Sequence, residues 1–162
     1  MKILIPLDGS RTGESALPYI ENLTSKLSSE EKVEVILLHV LPGRPYGVPS
    51  VDDTEWYSST SYTEKEIEEN RIKAGKYLDK AGETLKNKGV TVTPKVVVGA
   101  DDSEEIVKAA EGSNVDFIAI STHGRTGISR WALGSVAEKV IRREGKIPIL
   151  IVRAPHHMLK HT

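Results

Sequence analysis

Cysteine is absent from the 162 residues, which removes disulfides, thiol nucleophiles and cysteine-ligated zinc or iron–sulfur centres. Neither sign of charge prevails. Lys and Arg number 22 against 23 Asp and Glu, a formal net charge of −1, so no global field steers the chain towards nucleic acid or an anionic membrane. No apolar run approaches the roughly 20 residues that span a bilayer. The opening Met1-Lys2-Ile3-Leu4-Ile5-Pro6 is too short for a signal peptide and breaks at once into Asp8-Gly9-Ser10. Two phosphate-binding motifs are also missing: the P-loop G-x4-G-K-[ST], with its phosphate-gripping lysine, and a G-x-G-x-x-G after a strand. Asp8 lacks the clustered acidic residues of a phosphoacceptor domain, and no acid–base or nucleophile constellation stands out. No catalytic and no metal-ligating residue is therefore assigned. By elimination the expectation is a soluble, cytoplasmic globular chain, 38% hydrophobic and 28% charged.

What is present is an alternation of strands and helices, the pattern of βαβ units and a mainly parallel sheet. The first strand is expected over Lys2 to Leu7, followed by a helix from about Thr12 to Leu27 with Ala16, Leu17, Ile20 and Leu23 as its apolar stripe. Val33 to Val40 reads as the second strand. Arg44 to Tyr62, rich in Gly, Pro, Ser, Tyr and Asp, reads as a long loop in which Trp56 and Tyr57 either cover a ligand or pack on the surface. One helix is expected over Thr63 to Lys88, its Glu-rich start complementing the helix dipole and Gly89 ending it. Val90 to Val98, Val115 to Ile120 and Ile147 to Val152 are the remaining strands, with a helix opening at Asp101-Asp102-Ser103. No repeat or second domain is visible. The expectation is one α/β domain over residues 1–153 and a mobile tail at 154–162, whose His156, His157 and His161 are solvated rather than metal-bound. Right-handed crossovers with a reversal after the first strand give an open five-stranded sheet of order 3-2-1-4-5 with helices on both faces.

The densest chemical signal runs from Ser121-Thr122-His123-Gly124 to Gly134-Ser135. It reads as a strand, a glycine-bearing loop and a helix starting near Val136. The first-turn N–H groups and dipole of such a helix attract an anion. Gly134 lets a phosphate approach the backbone with no Cβ in the way, and Ser135 adds a hydroxyl that otherwise caps its own helix. Gly124 and Gly134 are ten residues apart, a reach of roughly 35 Å if extended, so the loop must fold back for both to meet one ligand. Arg125-Thr126-Gly127 suits such a turn. Arg125 has the reach for phosphate oxygens, whereas His123 has no sequence partner that makes it a general base. In the 3-2-1-4-5 order, Leu7-Asp8 and Ile120-Ser121 end neighbouring strands at the switch point and line one crevice.

The spacing resembles the G-x2-G-x9-G-[ST] pattern of ATP-binding universal stress proteins. Gly124 and Gly134-Ser135 match its second and third elements, while Ser121 stands where the family has glycine. The likeness extends to Ile3-Leu4-Ile5-Pro6-Leu7-Asp8-Gly9-Ser10, with its P-x-D turn, to Leu37-Leu38-His39-Val40, to Val98-Gly99 and to Pro148-Ile149-Leu150-Ile151-Val152. It implies the same strand order, which composition leaves open. It also implies that the Ser135 hydroxyl and the N–H groups of Gly134, Ser135 and Val136 meet phosphate oxygens, that Asp8 lies at the adenosine, and that Pro6 and Val40 wall the adenine. At Ser121 two cases stay open. If the position needs left-handed backbone angles, a Cβ costs about 1–2 kcal/mol; if glycine serves only close approach, serine fits and brings a hydroxyl.

The expected site is thus Pro6, Asp8, Val40, Ser121, His123, Gly124, Arg125, Gly134, Ser135 and Val136, holding ATP with Mg²⁺ as a regulatory ligand. The alternatives are a dimeric interaction module without nucleotide, and a slow ATPase. The last strand, Ile147 to Val152, reads as an apolar edge that opens with Pro148, and the resemblance implies a homodimer through it.

Overall fold

The computed structural model describes residues 1–27, 31–43, 63–122, 134–143 and 145–154. Among them, β1 (Lys2–Pro6), β2 (Glu34–Pro42), β3 (Thr91–Gly99), β4 (Phe117–Thr122) and β5 (Ile149–Arg153) form one parallel sheet. Its order is β3-β2-β1-β4-β5, as the crossover reasoning anticipates. The central strands read as continuous apolar runs because helices cover both faces. Alternation then sorts their side chains. Ile3, Ile5, Val35 and Leu37 meet α1 (Ala16–Thr24), α2 (Glu64–Ala81) and α3 (Glu83–Asn87), while Leu4, Ile36, Leu38 and Ile118 meet α4 (Asp102–Ser113) and α5 (Ser135–Arg143).

Several boundaries differ from the sequence-based expectation, each for a local reason. The helix expected from Thr12 opens as a 3-10 turn over Gly13–Ser15 before α1 begins. The helix expected over Thr63 to Lys88 divides at Gly82 into α2 and α3. A Cβ on Gly82 would stand 2.8 Å from Val92 Cγ1 and 3.1 Å from Leu37 Cδ1, so the chain can bend onto the sheet there only without a side chain. At the other end Thr63 and Glu66 form a reciprocal cap: Thr63 Oγ1 accepts from Glu66 N at 3.2 Å and the Glu66 carboxylate accepts from Thr63 N at 2.7 Å. The bond from Thr63 N, and a second from the Thr63 hydroxyl at 2.9 Å, hold the Glu66 carboxyl below its ordinary pKa.

β4 runs two residues further than expected, through Thr122, so Ser121 belongs to a strand. β5 is displaced towards Arg153, and Ala154, assigned by sequence to the tail, is buried with its N–H donating to Thr122 O at 3.1 Å. Residues 155–162, with their histidines, and 44–62, with Trp56 and Tyr57, lie outside the described residues. No helix among the described residues is long and apolar enough to cross a membrane.

Candidate functional site

The sheet splits at the C-terminal ends of its middle strands. β1 pairs with β4 only at Ile3–Phe117 and Leu4–Ile118. Beyond that point β1 stays with β2 as far as Pro6–Leu38, while Ser121 and Thr122 pair with Val152 and Arg153 of β5. Successive connections leave to opposite faces on either side of this line, which is what opens a crevice at a topological switch point. The opening is a cavity of about 550 Å³, within the range of small-molecule sites.

One wall is the loop after β1, closed on itself by hydrogen bonds. Asp8 Oδ1 accepts from Ser10 N at 2.9 Å and Ser10 Oγ at 2.6 Å. Ser10 Oγ in turn accepts from Gly13 N at 2.9 Å, and Ser10 O accepts from Glu14 N at 3.1 Å. Gly13 is required by close approach, since a Cβ there would collide with Asp8 Oδ1. From the α2 side the buried Tyr77 hydroxyl lies near Glu14 and Gly9 without a well-formed hydrogen bond. Burial first, and then the Glu14 and Asp8 charges, hold its pKa well above the ordinary tyrosine value. Tyr77 also meets the ring of His39 edge-on, with centroids 6.1 Å apart. Leu7 O, an acceptor only, lies 2.7 Å from His39 Nδ1, so Nδ1 carries the proton and, in the neutral ring, Nε2 is an acceptor.

The opposite wall comes from α4 and α5. The first intrahelical bond of α5 runs from Glu138 N to Gly134 O at 2.9 Å. The N–H groups of Ser135, Val136 and Ala137 therefore have no acceptor within their own helix. Asp101 caps α4 by accepting from Ser103 N at 2.9 Å and Glu104 N at 3.3 Å, and Arg143 of α5 reaches Asp101 Oδ2 at 3.1 Å. The hydrogen bond from Ser103 first, aided by Arg143 and Lys139, holds the Asp101 carboxyl below the usual aspartate value. This joins the N-terminus of α4 to the last turn of α5, so the helices lining the crevice are braced together.

Of the ten residues singled out by sequence, Pro6, Asp8, Val40, Ser121, Gly134, Ser135 and Val136 all line this crevice. His123, Gly124 and Arg125 lie outside the described residues. Val40 faces the cavity while also packing against the buried residues on the α4 and α5 side of the sheet. Of the two cases stated for Ser121, the structure bears on the backbone one. Ser121 sits in regular strand backbone, and Asn114 is the non-glycine residue of positive φ among those described; left-handed angles are not needed at this position. Thr12, Gly13, His39 and Asp102 also line the crevice and escaped the sequence reading. His39 had a signal, standing next to Val40 at a strand end, whereas Gly13 becomes meaningful only once Asp8 folds back over it.

The universal stress protein family model matches residues 1–153. The chain belongs to the universal stress protein family. A curated relative, universal stress protein MJ0577 of Methanocaldococcus jannaschii, is 36% identical over 160 residues, covering 94% of each chain. A solved MJ0577 structure superposes with a TM-score of 0.65 at 32% identity over 96% of both chains. At 20% identity, where likeness speaks for fold alone, a universal stress protein from Archaeoglobus fulgidus in complex with dAMP gives a TM-score of 0.58 over 93% of this chain and 96% of that one. An Arabidopsis thaliana family protein with AMP bound gives 0.65 at 15% identity over 99% and 96%.

Proposed function

We propose that this universal stress protein holds ATP, with Mg²⁺, in the β1/β4 crevice as a regulatory ligand, residues 1–153 acting as one nucleotide-binding domain. The observation that carries this is the division of polar groups around one cavity. The β1 side offers acceptors, chiefly the Asp8 carboxylate, suited to sugar hydroxyls. The α5 side offers donors, the Ser135 hydroxyl and three first-turn N–H groups, suited to phosphate oxygens. Pro6 and Val40 supply an apolar wall for a base. Among the described residues no group of three or more His, Asp or Glu side chains is gathered to cage a cation, so Mg²⁺ would be carried by phosphate oxygens and water. The AMP and dAMP of the two distant relatives agree with a nucleotide-sized ligand in this fold.

Calorimetric titration of nucleotide-stripped protein with ATP and Mg²⁺ tests the proposal. Micromolar affinity is expected. Ser135→Ala should weaken it about tenfold to a hundredfold, the worth of a hydrogen bond to a charged group, roughly 1.5–3 kcal/mol. Absence of binding by the unaltered protein would favour a dimeric interaction module instead. Phosphate release above background in the same samples would make it a slow ATPase.

A homodimer through the last strand belongs to the same proposal. β5 pairs on one side with β4 and stands at the end of the sheet, with Ile151 37% exposed. Such an apolar edge favours pairing with a second copy. Sedimentation at tens of micromolar should give twice the 17.8 kDa chain mass, and a monomer under those conditions would refute it.

A further inference from the structure

The split between β1 and β4 leaves the Asp8–Gly13 loop beyond the last backbone pairing of these strands, yet a side chain crosses the gap. Ser121 Oγ donates to Gly13 O at 2.9 Å, linking β4 to a segment 108 residues away in sequence. The bond is partly buried, which limits competition from water. Its acceptor sits at the centre of the loop's own network, because Gly13 N also donates to Ser10 Oγ, and Ser10 donates to Asp8. Tyr77 touches the loop from α2, but without a well-formed hydrogen bond. Among the described residues, β4 therefore supplies a directional tie to the loop.

We propose that Ser121 is a positioning residue: its hydroxyl pins the loop bearing Asp8, Thr12 and Gly13 to β4 and keeps the crevice in its ligand-receiving shape before a ligand arrives. A glycine or alanine at position 121 has no group to make this tie. A loop already ordered pays less conformational entropy on binding, so the tie should appear as affinity. The link to affinity rests on the nucleotide proposal; the ordering of the loop does not.

Amide hydrogen exchange on the ligand-free chain, alongside ATP–Mg²⁺ calorimetry, tests both. In Ser121→Ala the Gly13 and Glu14 amides should exchange about fivefold faster, the factor of one neutral hydrogen bond, with Leu4 and Ile118 unchanged. ATP affinity should fall by a similar factor, and saturating ATP should restore the loop's protection, because coupling between order and binding is reciprocal. The pair Ser121→Thr and Ser121→Val, nearly equal in shape, controls for packing: Thr should behave as the parent and Val as Ala. Unchanged loop exchange in Ala and Val would overturn the proposal, as would a loosened loop with undiminished ATP affinity. If Ser121→Ala loosens the loop while the parent chain binds no ATP, the pin is upheld and nucleotide binding refuted.

Discussion

Gly13→Ala is expected to lower stability by about 1–3 kcal/mol and to weaken ATP about a hundredfold or more. The added Cβ would overlap Asp8 Oδ1 and stand 3.4 Å from Ser10 Oγ. That carboxylate oxygen already accepts from Ser10 N at 2.9 Å and Ser10 Oγ at 2.6 Å, so it cannot withdraw without releasing both. Moving Gly13 instead would pull its carbonyl from Ser121 and its N–H from Ser10. Either way the acceptor wall of the crevice is displaced. Urea denaturation and calorimetry on one preparation measure the two effects together. A variant with the parent's midpoint and affinity would mean that the loop relaxes freely, contrary to the tight network seen here.

Gly134→Val should separate binding from folding. A Cβ at this position meets nothing within 4 Å among the described residues, and Gly134 is not among the glycines of positive φ. Among the described residues, then, nothing occupies the space that a side chain at position 134 would take. Its carbonyl accepts the first bond of α5, and it lines the crevice beside Ser135. Loss of a tolerated N-cap residue should cost about 0.5–1 kcal/mol. A branched side chain over the helix's free N–H groups should nevertheless cut ATP affinity about a hundredfold. Thermal denaturation should change little while calorimetry loses its signal. Equal affinity in parent and variant would place the phosphates away from the start of α5.

The contrast between these two glycines shows what a sequence can reveal about a site. Gly134 is legible because the role proposed for it is local: a glycine just before a helix that follows a strand exposes N–H groups whatever the rest of the chain does. Gly13 is not, because its constraint is the carboxylate of Asp8, placed by a turn whose closure depends on the hydroxyls of Ser10. Ser121 falls between them. Its spacing from Gly124 and Gly134 marked the position, but the use of its hydroxyl depended on a contact 108 residues distant in sequence.

The same division holds for the fold. Alternating strand and helix patterns, with continuous apolar strands and helical stripes at period 3.6, determined the parallel sheet and its two buried faces, while its order also needed the point of reversal that the family likeness implies. The sheet and its faces are consequences of local geometry repeated along the chain. Ala74, Leu78, Ala81 and Leu85 continue one helical stripe, so the sequence pattern runs straight through Gly82. The break falls where Val92 and Leu37 lie so close that a side chain on residue 82 would press on them. Likewise the end of β4 is apolar only to Ile120, and its continuation to Thr122 depends on β5 offering Val152 and Arg153 as partners. By itself, the sequence determined the architecture and the pole of the crevice built from one contiguous segment, since periodicity and helix-end chemistry act between neighbours. Tertiary structure alone decided where elements break and how the β1 loop is held across the split sheet, since those depend on atoms that only folding brings within contact distance.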